Sequence, residues 1–97
     1  MITIRLNAGA MLVFDGSVLE HFFGAESKRV HVGAIHDLNT ETDRQGRHWL
    51  NIYANSEPDD DVPGAQAILF TDQIADQINA LVAEIHSAMS TFRADNE

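Results

Sequence analysis

A single amphipathic helix, spanning residues 71 to about 91, closes a chain whose earlier part reads as short strands separated by turns. Within it Ile74, Ile78, Leu81, Val82, Ile85 and Met89 recur at helical spacing, with Ala75 alongside, so they share one apolar face. Asp76, Gln77, Asn79, Ala80, Glu84 and Ser87 supply most of the opposite side. An apolar stripe has to be buried, and a run of short strands offers a sheet on which to bury it. The expectation is an α+β domain in which about seven strands form a small antiparallel barrel or sandwich closed by one C-terminal helix. The stripe is then core rather than a partner-binding surface.

The strands can be followed along the chain. Residues 2–6 alternate apolar and polar, and Asn7-Ala8-Gly9 breaks the pattern. Residues 11–14 form a second run, ended by Asp15-Gly16, which suits a two-residue hairpin with 17–23 as the returning strand. Residues 24–27 turn the chain again, and 29–32 alternate. Residues 35–42 and 47–54 flank Asp43-Arg44-Gln45-Gly46, a tetrapeptide suited to a type I turn with Gly46 in the left-handed bulge position.

That turn fixes a register in which Leu38 faces Ile52 and Thr40 faces Leu50. Leu38, Leu50 and Ile52 then share one face, and Asp37, Asn39, Glu41, Trp49, Asn51 and Tyr53 the other. A slip of one residue would scramble this separation, so the pattern supports the register. Residues 56–64, with both prolines and the Asp59-Asp60-Asp61 run, read as a flexible acidic loop, and 65–70 as the last strand. Thr71 is placed to cap the helix, with Asp72 favoured in its first turn, and residues 93–97 are expected to fray.

The 97 residues suffice for one domain with a modest core, and the absence of cysteine excludes disulfides and thiolate chemistry. Fifteen acidic against six basic residues give a net charge of −9. Such a surface repels phosphate backbones and anionic lipid, which argues against nucleic-acid and membrane partners. Residues 1–7 lack the basic and apolar regions of a signal peptide, and no apolar run is long enough to span a bilayer. A cytoplasmic protein is expected.

Seven short strands and a closing helix resemble a pleckstrin-homology-like domain, most closely the short bacterial modules of that superfamily. Met11-Leu12-Val13-Phe14-Asp15-Gly16-Ser17-Val18-Leu19 resembles their early hairpin. Lys28-Arg29-Val30-His31-Val32-Gly33-Ala34-Ile35 resembles their basic-led strand, which runs into a small-residue step. The Asp43-Arg44-Gln45-Gly46-Arg47 hairpin and the terminal helix also sit where that family places them. The resemblance implies a non-catalytic module that binds proteins, peptides or lipid headgroups, or self-associates. Two departures count against phosphoinositide binding: the early connections carry no Lys or Arg, and the closing helix carries no Trp.

Three groups of residues stand out as candidates. Trp49 and Tyr53 project from the outward hairpin face, two positions apart along one side of the strand, as an interface anchor would, for a protein partner or for homo-oligomer contacts. Lys28 and Arg29 at one strand entrance, with Arg44 and Arg47 in the hairpin turn, place four of the six cations in two short segments. If the segments meet, they form a small-anion or headgroup pocket. The five histidines (His21, His31, His36, His48 and His86) form no close ligand pair, and the acidic run lacks the spacing of a calcium loop, so no metal is expected. Neither a Gly-x-Ser-x-Gly elbow nor a Gly-rich phosphate loop occurs, and neither catalysis nor a cofactor is expected.

Overall fold

The computed structural model describes residues 1–54 and 65–95. Its strands are β1 (Ile2–Asn7), β2 (Ala10–Phe14), β3 (Val18–Phe23), β4 (Glu26–His31), β5 (Ile35–Thr42), β6 (His48–Ala54) and β7 (Ala65–Phe70), followed by the helix α1 (Ala75–Asp95). The first four strands form one antiparallel meander and the last three another. A 3₁₀ turn at Val32–Ala34 carries the chain from the first sheet to the second. The two sheets and the helix enclose one core, the arrangement of a small α+β sandwich. The acidic loop expected at 56–64 lies outside the described residues.

The hairpin register follows the sequence pattern. Leu38 pairs with Ile52, Asn39 with Asn51, Thr40 with Leu50 and Glu41 with Trp49. Gly46 has φ 81°, the left-handed conformation that the bulge after a type I turn requires. Leu38, Leu50 and Ile52 are accordingly buried between the sheets. Ile4, Leu12, Phe14, Leu19 and Val30 from the first sheet, with Ile78, Leu81, Ile85 and Met89 from α1, complete the same cluster.

Two local expectations are corrected. Asp15-Gly16 is not a two-residue hairpin: Phe14 pairs with Leu19, and the longer loop is held by Asp15, whose Oδ1 accepts the amides of Ser17 and Val18. Thr71 makes no side-chain capping bond; a 3₁₀ turn at Asp72–Ile74 leads into the helix, and the Ile74 amide donates to the Thr71 carbonyl. The helix runs to Asp95, the last described residue.

Two contacts fasten this closing segment to the second sheet. His86 Nε2 donates to the Leu38 carbonyl at 3.1 Å, on the edge of β5 turned away from β6. His48, stacked on Phe70, bonds Asp72 through Nε2 and Thr42 Oγ1 through Nδ1. At the other end of α1 the Phe92 ring lies against Gly33, where a Cβ would sit 2.6 Å from ring carbons.

Leu81, 1% exposed, is central to the helix–sheet contact. Leu81→Ala should cost about 2–5 kcal/mol. Gly33→Ala should cost about 1 kcal/mol by pushing the Phe92 ring aside. Urea unfolding followed by circular dichroism checks both values and their order.

Candidate functional site

The hairpin that carries Trp49 is organised by one carboxylate. Asp43 Oδ1 accepts the backbone amides of Gln45 and Arg47, each at 2.9 Å. Its Oδ2 accepts Arg47 Nε at 2.7 Å and the Trp49 indole N–H at 2.9 Å. The Arg47 guanidinium also lies 5.6 Å from the centre of the Trp49 ring. Donation by the Trp49 indole, then by Arg47, holds the Asp43 carboxyl well below the usual carboxylate range. Trp49 is thus half-buried and fixed in orientation rather than loose on the surface.

Side-chain alternation and register build the outer face of this sheet in three lanes. β5 contributes Asp37, Asn39 and Glu41; β6 contributes Trp49, Asn51 and Tyr53; β7 contributes Ala67 and Leu69. Polarity falls across the lanes. Asn51, 8% exposed, donates through Nδ2 to Asn39 Oδ1 and Glu41 Oε1, so the β5 side is a bonded polar lane. On the other side Trp49 pairs with Leu69 and Asn51 with Ala67. Among the described residues the exposed large apolar side chains are Met1, Tyr53 (41%) and Leu69 (51%), so two of the three lie on this face.

Sequence reasoning placed Trp49 and Tyr53 on this face and missed Leu69. The signal for Leu69 is weak because it stands between Ile68 and Phe70, whose apolar side chains hide the alternation. Asp43 was legible as a turn residue, but its bond to the indole was not.

The four cations are distributed over both sheets. Lys28 and Arg29 are neighbours on β4 and so point to opposite sides of the first sheet. Lys28 shares its side with Val30, and its Nζ lies 5.7 Å from the Phe23 ring. Arg29 lies 3.8 Å from Glu20 on the adjacent strand. Arg44 is exposed in the β5–β6 turn, and Arg47 is bound to Asp43. Of the clefts of about 380, 570 and 300 Å³, only the second is lined by a cation, Arg5.

Partial burial, with Lys28 across the strand pair, pushes the His21 imidazole below its ordinary value. Among the described residues no group of three His, Asp or Glu side chains is placed to hold a metal ion. No helix among them is long and apolar enough to cross a membrane. Comparison with protein-family models, with curated proteins and with solved structures gives no match.

The Asp43 bonds predict a pH-dependent effect. A carboxyl whose folded value is depressed stabilises the fold above its unfolded value of about 4 and loses that contribution as the pH falls through the folded value. Asp43→Asn should therefore lower the thermal midpoint at pH 7, and the gap from wild type should close under increasing acid. Melting curves of both proteins across that range test this, and a gap independent of pH would contradict it.

Proposed function

We propose that this chain is a non-catalytic interaction module of pleckstrin-homology-like architecture, working in the cytoplasm through protein contact or self-assembly on the outer face of the β5–β6–β7 sheet. The observation that carries this reading is the cluster of Trp49, Tyr53 and Leu69 on one face, beside a bonded polar lane. A rigid aromatic anchor with adjacent exposed apolar groups loses little conformational freedom on binding, which is the usual make-up of an interface centre. The Asp43 bonds keep Trp49 in position before any partner arrives.

Binding of a small anion or lipid headgroup through Lys28, Arg29, Arg44 and Arg47 is the competing reading. It has less support, because Arg29 and Arg47 already have carboxylate partners in Glu20 and Asp43. A multidentate anion would have to displace these.

Side-chain variants of the outer face separate the two readings. Trp49→Ala also removes a hydrogen bond inside the hairpin, whereas Tyr53→Ser and Leu69→Ser change side chains that are already about half exposed. Light scattering behind size exclusion should give a discrete wild-type assembly that Tyr53→Ser weakens by about thirtyfold or more, the scale of an interface hot spot. Trp49→Ala should weaken it at least as much. Folded variants that keep the wild-type assembly and the wild-type co-purifying proteins would overturn the proposal. Salt-sensitive pelleting with anionic vesicles, lost on Arg44→Ala, would favour the competing reading.

A further inference from the structure

We propose that the outer edge of β7, which no strand takes among the described residues, pairs antiparallel with β7 of a second copy of this chain, extending the three-stranded sheet across a two-fold axis. The inference goes beyond the reading of the outer face as a contact surface: it places a second copy on the strand edge that borders that face. Its first support is the direction of the backbone groups. The Leu38 amide donates to Asp37 Oδ1 and its carbonyl accepts from His86, so both point away from β6. The Asp43 amide donates to the Arg47 carbonyl, which gives the same hydrogen-bond phase from the turn end. Antiparallel pairs alternate between bonded and non-bonded, so His48, Leu50 and Ile52 turn their backbone groups toward β7. They meet Phe70, Ile68 and Gln66. The N–H and C=O groups of Ala67 and Leu69 therefore face outward, and among the described residues no strand takes them.

The second support is charge. Copies of a chain with net charge −9 repel one another, and an uncharged contact adds least to that repulsion. The other strands that border a sheet are charged: β1 has Arg5, β4 has Glu26, Lys28 and Arg29, and β5 has Asp37 and Glu41. β5 is also the edge held by His86 of α1. β7 reads Ala-Gln-Ala-Ile-Leu-Phe, with no charge and no proline, the devices by which sheets ordinarily guard an open edge. Two identical neutral edges form a self-complementary contact across a two-fold. A register centred on Ala67 uses the free groups of both Ala67 and Leu69 and keeps outward side chains opposite outward side chains. The Trp49–Leu69 row of each copy then borders the junction.

Ala67→Pro tests the edge directly. It removes an N–H that faces outward and leaves the ladder to β6 intact, a placement that sheets tolerate. Ala67→Lys, which adds a like charge to each copy, serves in parallel should the proline variant fail to fold. Sedimentation velocity over a wide concentration range should show a wild-type dimer, with dissociation strengthened by about tenfold or more in either variant. Unchanged emission from the protein's single tryptophan, Trp49, at low concentration would report an intact fold. A wild-type monomer at every concentration overturns edge pairing, and so does a dimer indifferent to both variants. A dimer that Tyr53→Ser dissolves and the edge variants do not also overturns it, while leaving the outer face as the contact surface.

Discussion

The four hydrogen bonds accepted by the Asp43 carboxylate lock the turn between β5 and β6, and the pairing of those two strands takes its register from that turn. A shift of β6 by one residue would carry Leu50 and Ile52 to solvent, bring Trp49 and Tyr53 into the core and strip Leu38 of its partner. Because β6 is the central strand, the same register decides which β6 residues turn their backbone groups toward β7, and the β6–β7 pairing then assigns the inward and outward residues of β7. One carboxylate at a hairpin tip thus acts at three levels: it shapes the turn, holds Trp49, and sets the hydrogen-bond phase in which β6 meets β7.

The closing helix makes the second sheet asymmetric. Ile78, Leu81, Ile85 and Met89 are buried on the sheets, and His86 reaches the backbone of β5. His48 and Asp72 join the start of the helical segment to β6. One border of the three-stranded sheet is therefore tied to α1, while the other carries an uncharged strand beside an apolar lane. Buried apolar area supplies the gross stabilisation of such a small domain. The polar contacts decide which edge is closed and which face is presented.

Much of this was legible in the sequence because alternation and turn chemistry are local. The pairing of Leu38 with Ile52, the outward placement of Trp49 and Tyr53, and the buried stripe of α1 all follow from spacing and from one turn tetrapeptide. Contacts between residues distant in sequence or face were not legible. Asp72 stands in the first turn, as expected, but its bond to His48 on β6 was not legible, and the basic neighbours Lys28 and Arg29 divide across the first sheet. Asp15-Gly16 misled because the Asp15 side chain can bond the following amides, which stabilises a longer loop than a two-residue turn. Leu69 escaped notice because an apolar run conceals which of its members faces outward.

Residue-resolved amide hydrogen exchange by NMR, repeated over a range of protein concentrations, tests the central claim that the hairpin register leaves one neutral strand edge available to a second copy. The account predicts slow exchange for the Gln66 and Ile68 amides, bonded to β6, at every concentration. It predicts fast exchange for Ala67 and Leu69 in dilute solution, slowing as the concentration rises. Ala67 and Leu69 amides whose exchange never changes with concentration, or an Ile68 amide that exchanges as fast as they do, would contradict it.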